Sequence, residues 1–132
     1  MIIAVDFDGT LHTGSEWPKI GTVAPDAIKV MQQMKSDGHY IIIWTCRECE
    51  HTVEMVNWLL EKNIPFDRIN DHQAGALEEY GYVARKIYAD VYIDDKQIGG
   101  LPPWYDIYEY IKKCDTREGC SSSGRSTPKN YI

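Results

Sequence analysis

The 132-residue chain is 43% hydrophobic and 26% charged, a composition that suits one globular domain with a modest but adequate core. No apolar stretch approaches the roughly 18 residues of a membrane span, so no membrane partner is expected and a cytoplasmic protein is the default expectation. The formal charge of −6 speaks against tight non-specific nucleic-acid binding, which needs clustered Lys and Arg.

Ile2, Ile3, Ala4 and Val5 run straight into Asp6 and Asp8, followed by Gly9 and Thr10. A continuous apolar run of this kind reads as a strand buried on both faces. Acids at its carboxyl end stand where open α/β sheets place their ligands. Residues 12–22 lack periodicity and contain Gly14, Pro18 and Gly21, which predicts a loop. Pro25 opens a helix in which Ala24, Ala27, Ile28, Met31 and Met34 follow helical spacing, with Gly38 as its stop. Residues 40–44 form a second buried strand. A second helix is expected over 51–62, with Val53, Val56, Leu59 and Leu60 on one face, closed by Asn63 and Pro65.

A short outer strand is expected over 66–69 and a short helix over 74–80, beside Gly75 and Gly81. Val91, Tyr92 and Ile93 then lead into Asp94 and Asp95. Pro102 and Pro103 precede a last helix, where Trp104, Ile107, Tyr108 and Ile111 make an apolar stripe. The domain is accordingly expected over residues 1–113, with residues 114–132, rich in Ser and Gly, as a mobile tail.

Strands alternating with helices predict an α/β fold: three Rossmann-like layers around a mainly parallel sheet. In such a sheet the strand ends share one edge. Asp6 with Asp8, Thr45 with Arg47, and Asp94 with Asp95 are therefore expected to converge on one crevice. The chain has no catalytic Ser–His arrangement and no Gly-rich phosphate loop of the G-x-x-x-x-G-K type. A carboxylate cluster with oxygen-only ligands suits Mg²⁺ better than zinc. Two like unit charges about 3.5 Å apart repel by roughly 5 kcal/mol at an effective dielectric near 20, and a phosphate dianion would double that. Mg²⁺ and Lys86 would offset the repulsion, which makes metal-assisted phosphoryl transfer the chemistry that uses these residues together.

The remaining reactive residues point less clearly. Cys46 and Cys49 form a C-x-x-C, but Cys114 and Cys120 are too widely spaced for a second zinc knuckle, so all four read as reduced thiols. His12, His39, His51 and His72 show no paired ligand spacing. His12 and Trp17 lie on the segment after the first acids and are candidates to touch a substrate.

Asp6-Phe7-Asp8-Gly9-Thr10 resembles the D-x-D-G-T first motif of the haloacid dehalogenase-like phosphohydrolases. Thr45 resembles the second motif of that family, Lys86 the third, and Asp94-Asp95 the acidic fourth, in order over residues 1–95. The resemblance implies that Asp6 is a nucleophile forming an aspartyl-phosphate, and that Asp8 protonates the leaving group and then activates water. It implies Mg²⁺ held by the Asp6 side chain, the Asp8 backbone carbonyl and Asp94, with Asp95 binding directly or through water. Thr45 would hydrogen-bond a phosphoryl oxygen and Lys86 would neutralise nucleophile and phosphate. Arg47, just past Thr45, is inferred to clamp the phosphate. Lys86 stands closer to Asp94 than in many relatives, and the chain is too short for a large cap domain, so the layout looks like the capless members. The substrate stays open between a small phosphate ester, a nucleotide and an accessible phosphate on a nucleic-acid end or a protein. A phosphate-binding or regulatory module of weak activity is the alternative.

Overall fold

The computed structural model describes residues 1–116 of the chain. In chain order the elements are β1 (Ile2–Val5), β2 (His12–Thr13), β3 (Thr22–Val23), α1 (Ala27–Ser36), β4 (Tyr40–Ile43), α2 (Glu50–Glu61), β5 (Arg68–Ile69), α3 (Ala76–Tyr80), β6 (Val91–Ile93) and α4 (Trp104–Thr116). The four strands β5, β4, β1 and β6 lie side by side in that order, all parallel, with helices packed on the sheet. This is the expected three-layer, Rossmann-like α/β architecture.

Strand alternation sorts the core into two unequal halves. Ile3, Val5, Ile41, Ile43 and Ile93 face one side, where they pack with Met31 and Met34 of α1, Met55 and Leu59 of α2, and Ile107 and Ile111 of α4. Ala4 and Ile42 face the other side and meet only Ile87 and Ala89, with Ile2, Tyr40, Trp44 and Tyr92 around them. Three helices thus cover one face, while α3 and the 82–89 segment form a thin layer on the other.

Register places the strand ends. Val5 pairs with Ile43 on one side and with Ile93 on the other. The residues that follow each of them therefore emerge at one edge.

Three expectations need correction. Residues 12–22 are not a simple loop: their ends pair as an antiparallel hairpin, His12 with Val23 and Thr13 with Thr22. The hairpin closes because Gly21 donates its backbone N–H to His12 Nδ1 (3.0 Å) and passes so near Thr13 that a Cβ would sit 1.9 Å from its carbonyl oxygen. Helix α2 buries Met55 and Leu59, whereas Val53 and Leu60 are 60% and 62% exposed, so its apolar stripe is narrower and differently aimed than expected. Helix α4 runs through Thr116 and buries Cys114, so residues 114–116 belong to the domain. The rest of the expected tail, Cys120 included, lies outside the described residues.

Among the described residues, no helix is long and apolar enough to cross a membrane.

Candidate active site

Three carboxylates meet where β1 and β6 end. Asp6 continues the ladder past β1, donating its backbone N–H to the Ile93 carbonyl (2.9 Å), and Asp94 and Asp95 follow Ile93 directly. One oxygen from each of Asp6, Asp94 and Asp95 lies within 4.8 Å of the others. At that separation and an effective dielectric of about 20, each ionised pair repels by roughly 3.5 kcal/mol. Burial and then the charge of Asp94 raise the Asp6 carboxyl from 3.8 to about 7. Such a cluster could hold a cation.

Thr10 ties the cluster together. Its side chain is fully buried, its hydroxyl donates to Asp6 Oδ2 (3.0 Å), and the same oxygen accepts the Asp95 backbone N–H (3.1 Å). The Thr10 carbonyl in turn accepts the indole N–H of Trp104 (3.1 Å), so α4 anchors the loop that carries the acids. Gly9 is required twice over. It adopts φ +79°, and a Cβ there would lie 2.5 Å from Asp95 Oδ2.

Asp8 lies apart from the cluster, because its carboxylate is already satisfied. Arg47 donates from Nε (2.9 Å to Oδ2) and from Nη2 (2.7 Å to Oδ1), and His12 Nε2 reaches Oδ1 at 2.8 Å. Since Gly21 can only donate to His12 Nδ1, that nitrogen bears no proton and Nε2–H is the donor to Asp8. Burial raises the Asp8 pKa, but the hydrogen bonds from Arg47 and His12 outweigh it and hold the carboxyl below its usual value. The structure brings the side chains of Asp6, Asp94 and Asp95 together, while Asp8, expected to reach the metal through its backbone carbonyl, keeps its side chain on Arg47 and His12.

Arg47 is 2% exposed and stands beside Asp8. Its guanidinium carbon stands over the rings of Phe7 (5.1 Å to the centre) and Trp17 (4.9 Å), and Nη2 also donates to the Pro18 carbonyl (2.8 Å). Its fork is therefore engaged by Asp8 and the hairpin rather than presented as a phosphate clamp. Only Nη1 is buried without a hydrogen-bond partner. Trp17, 57% exposed, shelters the guanidinium and contacts His51 edge-on at 5.5 Å.

Thr45, just past β4, is held by a residue that the sequence reading did not single out. Asn70 accepts the Thr45 backbone N–H through Oδ1 and donates from Nδ2 to the Thr45 carbonyl, both at 2.7 Å. The signal was present: Asn70 follows β5 as Asp6 follows β1, a polar residue at a strand's carboxyl end. Thr45 Oγ1 accepts the Arg47 backbone N–H (3.1 Å), which leaves the hydroxyl proton to be donated elsewhere.

Lys86 is not brought into contact with the carboxylates. It stands on the exposed 82–89 segment with its ammonium 5.0 Å from the centre of the Tyr92 ring, and no carboxylate pairs with it among the described residues. The expected order along the chain did not translate into contact, because this segment lies along the Ala4–Ile42 face of the sheet instead of rising to its edge.

No family model matches the chain, and no curated protein matches it. A solved structure does: a conserved protein coded by a locus from Bacteroides thetaiotaomicron, with a TM-score of 0.76 and 37% sequence identity over 86% of this chain and 90% of that one. Likeness at that identity and coverage extends well beyond a shared fold. The chain belongs to the same family as this conserved Bacteroides thetaiotaomicron protein.

Proposed function

We propose that the chain is a capless phosphomonoester hydrolase of the haloacid dehalogenase-like kind, dependent on Mg²⁺ and working through an aspartyl-phosphate on Asp6. The observation that carries this reading is the meeting of Asp6, Asp94 and Asp95 within 4.8 Å, at the sheet edge where β4 also ends.

The donor set fits a hard divalent cation. It offers carboxylate oxygens without sulfur or imidazole, and burial together with the charge of Asp94 raises Asp6 to about 7. Asp6, Asp94 and Asp95 would hold the ion, with the Asp8 backbone carbonyl as the further ligand that the resemblance implies. Bound there, Mg²⁺ would neutralise charge between carboxylate and phosphate and polarise a phosphoryl oxygen.

The protein's own groups do the rest. Asp6 attacks phosphorus; its new oxygen–phosphorus bond forms as the bond to the leaving oxygen breaks. Asp8 gives a proton to that oxygen, and afterwards takes one from the water that hydrolyses the acyl phosphate. The hydrogen bonds from Arg47 and His12 hold Asp8 in place and, by keeping its carboxyl below the usual value, suit its second role. Thr45 donates its hydroxyl proton to a phosphoryl oxygen.

Release of inorganic phosphate from p-nitrophenyl phosphate tests the reading. Turnover should require Mg²⁺, cease with EDTA, and fall at least about 10³-fold in Asp6→Asn. Wild-type protein inert with Mg²⁺ across a broad panel of phosphate esters would overturn it. Comparing a nucleotide with an end-phosphorylated oligonucleotide in that panel separates small from macromolecular substrates.

The position of Lys86 over Tyr92 favours a second reading, a phosphate-binding module of weak activity, since the expected cation does not pair with the nucleophile. Tight binding of a phosphate mimic without turnover would select it.

A further inference from the structure

On the thin side of the sheet, away from the carboxylates, a cavity of about 570 Å³ opens between α3, the 82–89 segment and β6. We infer that it is a binding site for a small planar apolar molecule carrying a single negative charge. Its volume falls in the range of about 300–1,000 Å³ that drug-sized ligands occupy. Tyr80, Tyr82 and Tyr92 contribute rings to the lining, and Ala76 and Ile87 contribute aliphatic surface. Rings and small aliphatic groups of this kind accept a flat hydrophobic body by stacking and edge contacts.

The cavity is framed by hydrogen bonds rather than left by loose packing. His72 Nε2 bonds the Ala84 carbonyl (2.6 Å), joining the segment before α3 to the segment after it. The Tyr92 hydroxyl donates to the Ile87 carbonyl (2.6 Å) and accepts the Ala89 backbone N–H (3.2 Å). The Ala84 and Ile87 carbonyls and the Ala89 N–H are thereby engaged by His72 and Tyr92 side chains.

Charge then narrows the ligand. Lys86 lines the same cavity and carries the one ammonium there, 5.0 Å from the Tyr92 ring centre and with no carboxylate paired to it among the described residues. A single negative charge on the ligand would meet it, partly desolvated, over an aromatic floor. The chain's overall −6 disfavours a ligand of higher negative charge. None of Asp6, Asp8, Thr45, Asp94 and Asp95 lines the cavity, so the site stands or falls independently of phosphatase activity.

The probe is 8-anilinonaphthalene-1-sulfonate, a planar apolar monoanion, titrated into the full chain. Binding should be saturable at one molecule per chain, with energy transfer from Trp44, which packs on the same face of the sheet. Ala84→Trp, an exposed position that lines the cavity, should weaken it at least tenfold by filling the space. Lys86→Glu should weaken it about tenfold, and uncharged N-phenyl-1-naphthylamine should bind wild type less tightly than the sulfonate does. Far-UV circular dichroism establishes that both variants fold. Wild-type affinity in either variant, equal affinity for the uncharged analogue, or no saturable binding overturns the inference.

Discussion

Arg47 grips Asp8 side-on, with Nε 2.9 Å from Oδ2 and Nη2 2.7 Å from Oδ1, while its guanidinium carbon stands over the rings of Phe7 and Trp17. The arginine side chain is wholly buried and the aspartate is 30% exposed. Removing the arginine strands a half-buried carboxylate and leaves a void beside two rings. Arg47→Ala should lower the free energy of unfolding by about 2–4 kcal/mol in urea titrations, short of a fully buried pair because Asp8 keeps some water. Arg47→Lys should recover less than half of that, since a single ammonium cannot reproduce the fork. A loss under about 0.5 kcal/mol would show that the pair is not stabilising.

The pH dependence of stability should carry the mark of Asp6. Burial first, and the charge of Asp94 second, raise its carboxyl from 3.8 to about 7 in the folded chain. The folded state therefore keeps a proton that the unfolded chain releases, so this stabilisation is complete below 3.8 and is lost as pH rises to about 7. Measured in EDTA, wild type should lose about 1–2 kcal/mol relative to Asp6→Asn between pH 4 and pH 8, after allowance for the partial exposure of the group. Mg²⁺ should flatten the difference. The comparison cancels His39, which runs the other way: burial and the neighbouring N-terminal ammonium lower its pKa, so acidification through 6.5 costs native stability. A constant gap between wild type and Asp6→Asn in EDTA would contradict the assignment.

Gly9 and Gly14 offer a matched pair of substitutions. Both have positive φ, +79° and +80°, so alanine strains either backbone by about 1–2 kcal/mol. Only at Gly9 would the new methyl strike a carboxylate, 2.5 Å from Asp95 Oδ2; at Gly14 it would meet nothing nearer than Thr22 Oγ1 at 3.8 Å. Calorimetric titration should find Mg²⁺ binding weakened about tenfold in Gly9→Ala and unchanged in Gly14→Ala. Equal affinities in the two variants would detach Asp95 from the metal.

Asn70 grips both main-chain groups of Thr45 with its side-chain amide. Asn70→Ala leaves an N–H and a C=O at a half-buried strand end without their partner, a cost of about 1–3 kcal/mol in thermal or urea unfolding. Asn70→Asp keeps the acceptor for the Thr45 N–H but sets an oxygen against the Thr45 carbonyl, so it should rescue at most part of the loss. If Asn70→Asp matched wild type, the donor half of this clamp would be dispensable.

The central geometry of the site was legible in the sequence because it depends on strand ends, and strand ends follow from hydrophobic runs. The runs before Asp6, Thr45 and Asp94 fixed a shared sheet edge once parallel pairing was assumed, and register then placed Asp6 beside Asp94. Side-chain partnership was much less legible. Arg47 was expected to face a phosphate, but its fork matches the nearer carboxylate of Asp8, and nothing in a linear pattern ranks those partners. Lys86 was positioned by its order in the chain, yet order says little about a segment with few apolar anchors. The hairpin of residues 12–22 went unread because its strands are two residues each, too short for alternation to register. Helix α2 was recognised as a helix and Leu59 as buried, but Val53 and Leu60 were placed inside where Met55 is, because both faces of the helix carry apolar residues.

The unequal clothing of the sheet has a dynamic consequence. Ile3, Val5, Ile41 and Ile43 are locked under three helices, whereas the buried cluster around Ala4 and Ile42 adds only Ile87 and Ala89, from a segment without regular structure. The lighter layer can detach while the heavier one stays folded, so amides between His72 and Ala89 should exchange with solvent deuterium through partial opening, long before those of β1 and β4. The protein would then carry a soft flank alongside a rigid acidic rim, able to breathe without disturbing the aspartates at the sheet's edge.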